Sequence, residues 1–301
     1  MAPTTAFLVQ LLKDRADEKL LSFWQNAHEE LAKGVDRSRF SALISLASRY
    51  AKRHPLTLDP AQSARAQTML PGWTPAAWNE LELLRVILVL ARPDLSSDTF
   101  AEDFETLFRF ADEGETCALY RSLPLLPEGE RFVWRAGEAC RTNMLSVFEA
   151  VALDSPYPVT HFDDTAWRQL VIKALFLDCN LARIAGLEQR LDPELTRMAL
   201  DWAQERKSAG RNYHLGLWLC LGPHHGERVQ ALLNEHWPDA TPLERRAMAL
   251  GAGRAGQTEW LTATLANSAD KTEQSHLRQG AEGGYGQNDF MPVFEAAAQS
   301  D

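Results

Sequence analysis

Four dipeptides constrain this chain more than anything else in it: Asp59-Pro60, Thr74-Pro75, Asp192-Pro193 and Thr241-Pro242. In each, a short polar side chain can accept a hydrogen bond from an orphan N–H at a helix start. The proline then takes the first helical position, where no N–H is needed. Thr241 also has Glu244 three residues on, which completes a capping box. Gly34, Gly114 and Gly210 stand where helices would stop.

Between these marks the apolar residues recur at helical spacing. Phe40, Leu43, Ile44, Ala47 and Tyr50 form one face; Phe100, Phe104, Leu107, Phe108 and Ala111 form another. A third comprises Leu195, Met198, Ala199, Trp202 and Ala203. Strand-like alternation bounded by turns does not appear. The pattern predicts about a dozen helices of roughly 9–18 residues with short links. Short links make sequential helices antiparallel neighbours. The expected fold is therefore all-α, an irregular α–α superhelix or HEAT-like array of helical hairpins.

The alanine- and glycine-rich stretch 245–255 suits such stacking, because small residues let helices approach closely. Residues 267–288 are polar and glycine-rich and are expected to be loose, ahead of a last helix over 290–298. The expected organisation is an N-terminal helical region (1–110), a core (111–223), and C-terminal repeats with a loose tail (224–301). All three are read as one continuous array.

Charge excludes two partner classes. The net charge of −10 and pI near 5.4 lack the basic footprint that nucleic acid demands, and oppose adhesion to an anionic membrane surface. The first 15 residues have no basic region ahead of an apolar run, so no secretory signal is read. The longest apolar run, 86–91, falls far short of the ~20 residues of a transmembrane helix. The expected location is cytoplasmic. Cys117, Cys140, Cys179 and Cys220 are scattered, with no CxxC pair, as suits reduced core thiols rather than disulfides or a zinc site.

Several motifs resemble chemistry without the context it needs. Residues 251–256 match GxGxxG, but the preceding pattern is helical, whereas a dinucleotide site needs a strand there. His28-Glu29-Glu30 begins like HExxH, but position 32 is alanine. His224 and His225 are adjacent, about 100° apart on a helix, and read as a surface pair. Asp163 or Asp164, beside His161, reads as a cap for the helix carrying Trp167. No metal or cofactor is expected, and no catalytic residue is assigned.

What remains are charges inside greasy helices. Residues 144–153 are apolar but for Glu149 and Ser146; residues 167–177 contain Lys173 within an apolar stretch. A helix apolar on every side is a buried one, and an ionised group there costs several kcal/mol unless partnered. Arg206 lies on the stripe Leu195, Ala199, Trp202, Arg206 and points inward; Arg197, Asp201 and Glu205 share an outward face. Arg141 and Asn143 open the first apolar stretch, and Arg211 and Trp218 follow at the next helix. Arg141, Asn143, Glu149, Lys173, Arg206, Arg211 and Trp218 are the candidate lining of one internal polar pocket, the usual form of a small-molecule site. The competing reading is a set of interhelix ion pairs that fix helix register. Among nine tryptophans, Trp73, after Pro71-Gly72, is expected to be exposed as a partner contact.

One long run is familiar. The pieces ALYRSLPLLPEGERFVWRAGEACRTNMLSVFEAVALDSPYP, WRQLVIKALFL, ARIAGLEQRLDPELTRMALDWAQERKSAGR and LWLCLGP, in this order, resemble the EboA domain family. The close resemblance runs from about residue 111 to 223. The family often has His-Glu-Arg-Trp where this chain reads Gln204-Glu205-Arg206-Lys207, and Asn-Gln where it reads Arg168-Gln169; Glu149, Lys173, Arg206 and Arg211 are retained.

The resemblance implies a component of a bacterial or algal gene cluster that makes or exports a secondary metabolite. It implies neighbours of prenyltransferase-like, TatD-like and sugar-phosphate-cyclase-like type. The expected function is a non-enzymatic helical accessory or scaffold protein that binds a pathway protein or a small intermediate. The alternative is an enzyme of the same pathway that uses the buried Glu/Lys/Arg pocket.

Overall fold

Side-chain caps mark the start of many of the helices. The computed structural model describes residues 2–283 and 285–299, and among them are seventeen α-helices, seven short 3-10 helices and no strand. The chain divides into two compact units, residues 1–166 and 167–301. The first holds α1 (Pro3–Lys13), α2 (Glu18–Ala32), α3 (Arg37–Leu46), α4 (Pro60–Met69), α5 (Glu80–Leu90), α6 (Asp98–Leu107), α7 (Glu113–Ser122), α8 (Val133–Arg141), α9 (Leu145–Ala152) and α10 (Tyr157–His161). The boundary falls within α11 (Asp164–Phe176). The second unit continues with α12 (Pro193–Ser208), α13 (Gly226–His236), α14 (Pro242–Arg254), α15 (Thr258–Asn267), α16 (Lys271–Ala281) and α17 (Met291–Ala298).

Asp59, Asp192 and Thr241 cap α4, α12 and α14, each with proline at the first helical position. Thr74-Pro75 does not start a helix. The Thr74 hydroxyl accepts from the Ala76 amide (3.2 Å) in a short turn, and Asn79 with Glu82 builds the capping box that starts α5. Gly34 and Gly210 follow α2 and α12 with φ of +85° and +65°, as helix-ending glycines do. Gly114 instead sits in the first turn of α7, whose cap is Asp112. Asp163 accepts from the Ala166 amide (2.8 Å) and so opens α11.

The stretch 267–288 is not loose throughout. Asp270 caps α16, which buries Leu277 and Gly280; so narrow a buried stripe left the composition polar. Helices also run shorter than predicted, down to the five residues of α10 between Pro156 and Phe162.

Each unit has one helix at its centre. In the first, every residue of α5 from Leu81 to Leu90 is buried, and the helix packs on α1, α2, α3 and α7. Full burial of a Leu, Ile or Val contributes about 1.5–3 kcal/mol. In the second, α14 is buried from Ala247 to Arg254 and packs on α16, α15, α17 and the 3-10 segment Leu215–Cys220. Glycine makes that approach possible: a Cβ on Gly251 would stand 2.8 Å from the Trp218 Cβ, and one on Gly280 would run into the Ala249 carbonyl. The GxGxxG match is thus the end of α14 and a turn at Gly256, with φ +68°.

Candidate functional site

The residues singled out in the sequence divide between the two units: Arg141, Asn143 and Glu149 fall in the first, and Lys173, Arg206, Arg211 and Trp218 in the second. Glu149 lies on α9, half-buried, and its carboxylate makes no hydrogen bond or ion pair among the described residues. Its helix is not apolar-buried all round, since Met144 and Leu145 at its start are exposed. Arg141, in the last turn of α8, is exposed and pairs with Glu138 at 2.5 Å. Asn143 is exposed in the link to α9. Helix ends face outward here, so neither residue lies in the interior.

In the second unit Lys173 is half-buried on α11, a helix that also exposes Phe176. Arg206 lies over the Trp202 ring (5.4 Å) and donates through Nε to the Asn212 carbonyl (3.0 Å), which closes the end of α12. Arg211 is exposed just beyond, past the turn at Gly210. Trp218 is a core residue beneath Gly251. The outward face is as expected: Arg197 pairs with Glu194 (2.6 Å) and Asp201, and Arg228 reaches Asp201 (2.8 Å).

Trp73 corrects the sequence expectation. It is 1% exposed, packed edge-on against Phe7 and Trp78 with ring centroids 6.3 and 6.0 Å away. Trp134 on α8 is instead exposed, at 64% relative accessibility. It stands on the helix pair that also exposes Met144 and Leu145.

The most buried charges escaped the sequence reading. Arg85 on α5 is 2% exposed; Nη2 donates to Glu115 (3.3 Å) and Nε to the Ile44 carbonyl (3.3 Å). Burial, the dominant influence, draws this guanidinium below the ordinary arginine range. Glu82, on the same helix, pairs with Arg121 of α7. Arg92 forks onto Asp94 through two bonds of 2.8 and 2.7 Å, reaches Asp103 at 3.3 Å, and lies over the Phe40 ring at 4.9 Å. Arg37 closes on Asp103 from the other side at 2.7 Å. In the second unit Arg254 pairs with Glu188 (2.7 Å) and donates to the Tyr285 carbonyl. A signal for two of these was present: Glu82 and Arg85 stand in the greasy run ELELLRVILVL much as Glu149 stands in its own.

The Arg92 network is the floor of a groove of about 670 Å³ between the α2–α3 turn and the segment joining α5 to α6. Lys33, Gly34, Asp36 and Arg37 form one wall; Pro93, Asp94, Thr99 and Asp103 form the other. The Lys33 ammonium makes no ion pair among the described residues. Arginine forks of this kind are rigid, so the floor is preorganised. Two thiols are poor nucleophiles: burial pushes Cys117 up to about 11 and Cys220 up to about 12.

Fold and interior together define the class, an all-α protein whose deeply buried charges are held in ion pairs. The chain belongs to the EboA family, described as metabolite traffic protein EboA, whose model matches residues 4–222. The match begins in α1, well ahead of residue 111 where the close resemblance starts. No curated protein and no solved structure matches the chain. Among the described residues, no helix is long and apolar enough to cross a membrane.

Proposed function

We propose that this protein is a non-catalytic helical accessory protein of a secondary-metabolite pathway, which holds a small intermediate or a pathway protein. The observation that carries this reading is the groove over Arg92. Its volume, about 670 Å³, lies within the ~300–1,000 Å³ typical of small-molecule sites. The family description, metabolite traffic, supports the same reading.

The chemistry of the buried groups favours holding over turnover. Glu82, Asp103 and Glu115 are each engaged in an ion pair with an arginine. A protein partner would use the exposed Trp134, since exposed aromatics anchor interfaces. The natural partners are the prenyltransferase-like, TatD-like and sugar-phosphate-cyclase-like proteins implied by the family resemblance.

One observation favours the enzymatic alternative. Glu149 is a half-buried carboxylate without a partner among the described residues, the condition in which a carboxylate can serve as a base.

The test is native mass spectrometry of tagged protein purified from its native host. A one-to-one small-molecule adduct that is lost in Lys33→Glu and Thr99→Trp variants supports the groove. Bare protein, with no adduct and no pathway protein, refutes the proposal.

A further inference from the structure

We infer that the first turn of α7 is a binding site for an oxyanion, the phosphate or carboxylate end of a small molecule. The site is separate from the groove over Arg92 and does not depend on it.

Three features converge there. Arg85 enters from α5, and its Nη1 is buried with no hydrogen-bond partner; the Asp112 carboxylate oxygen, at 3.9 Å, is beyond bonding reach. A buried donor without a partner is costly, more so when charged, so it is retained against a penalty. Arg53 enters from the loop after α3, and its guanidinium makes no hydrogen bond or ion pair among the described residues. That loop is fixed, because the Leu81 and Glu80 amides at the start of α5 donate to the Lys52 and His54 carbonyls at 3.0 Å each. Both guanidinium groups point at the bare face of Gly114: a Cβ there would stand 3.2 Å from Arg53 Nη2 and 3.3 Å from Arg85 Nη1.

Two cations therefore share one small space with a single carboxylate oxygen, Asp112 Oδ1, which would stand 3.5 Å from the same Cβ. The adjoining carboxylates are already engaged. Asp112 accepts the Glu115 amide at 2.7 Å, Glu115 bonds Arg85 Nη2 and the Asp112 amide, and Glu113 accepts the Ser146 hydroxyl. The Glu113 and Gly114 amides, at the first two helical positions, have no intrahelical partner. A helix start presents such N–H groups and a positive dipole end to an anion. Absence of a side chain at Gly114 leaves room for an oxygen to reach both arginines. Burial draws Arg85 down first; Glu115 and Asp112 oppose the shift, and Arg53 adds to it. Access is open, since Arg53 and Asp112 are exposed and Gly114 is half-exposed.

The test is calorimetric titration of the full chain with inorganic phosphate, and in parallel with acetate, at constant ionic strength. Arg53→Gln and Gly114→Ala are the variants. Arg53 is exposed, and the alanine methyl meets only side-chain atoms, Arg53 Nη2, Arg85 Nη1 and Asp112 Oδ1 at 3.2–3.5 Å, so both variants should fold. The expected result is saturable one-site binding, weakened at least tenfold in each variant, with unchanged thermal unfolding in the absence of ligand. Whichever anion binds tighter identifies the phosphate or carboxylate end. Failure of both anions to bind, or equal affinity in wild type and both variants, overturns the assignment.

Discussion

Gly251→Ala should destabilise the protein, although the same change normally strengthens a helix. Alanine gains roughly 0.5–1 kcal/mol over glycine within a helix. Gly251 lies inside α14, where its Cα faces Trp218. A methyl there would meet the Trp218 Cβ at 2.8 Å, its carbonyl oxygen at 3.0 Å and its Cα at 3.2 Å. None of these is the free end of a side chain, so the segment Leu215–Cys220 must move away from α14. Overpacking of this kind costs about 1–3 kcal/mol. The net expectation is a loss of about 1–2 kcal/mol, or a few degrees in Tm for a unit of this size.

Gly137→Ala in α8 is the internal control. The nearest outside atom to its Cβ is the flexible Arg141 Nη1 at 3.9 Å, so the helix-propensity gain of about 0.5–1 kcal/mol should appear in full. Urea unfolding followed by circular dichroism measures both. The reasoning is refuted if Gly251→Ala stabilises as much as Gly137→Ala, because α14 would then not rest on that segment through a bare glycine.

Three further outcomes follow from the titrating groups. The Arg92 fork holds the Asp94 carboxyl below the usual range, so its contribution is present above the unfolded carboxylate pKa and is lost as pH falls through the lowered folded value. Asp94→Asn should cost about 1 kcal/mol at neutral pH and nothing once wild-type Asp94 is protonated, as read from unfolding midpoints between pH 2 and 7. His214 is half-buried and accepts the Gly216 amide at Nδ1 (3.2 Å); burial lowers its pKa, with Asp178 opposing and Arg206 adding to the shift. Its contribution is present above about pH 6.5 and is lost as pH falls through the lower folded value, so His214→Asn should flatten the stability profile below that point. A disulfide exchange reagent should label Cys140, the half-buried thiol, well before Cys117 and Cys220; equal rates by intact-mass analysis would contradict the burial.

What was legible in the sequence was local. Asp59, Asp192 and Thr241 cap helices because a cap needs only the three residues after it. Thr74 failed because Asn79, five residues on, offers a complete capping box and wins the helix start. Trp73 does lie in a loop, as its Pro-Gly neighbours indicate, but Phe7 and Trp78 cover it, and a loop's burial is decided by distant residues. Partners 30 to 66 residues apart, such as Arg85 with Glu115 or Arg254 with Glu188, leave no periodic trace. The charge in a greasy helix was a sound signal, yet it applied equally to Glu82 and Arg85, where the structure commits it to ion pairs. The groove could not be foreseen, since it joins two turns some sixty residues apart in the chain.

The central claim is that this chain holds a molecule rather than transforms one. Production of the pathway's metabolite in a host lacking the gene, complemented with folded variants, tests it most directly. The account predicts that Glu149→Gln restores wild-type output, whereas Lys33→Glu with Thr99→Trp lowers it severely. A Glu149→Gln protein that folds normally and yet abolishes output, beside groove variants that restore it, would contradict the claim and favour catalysis at Glu149.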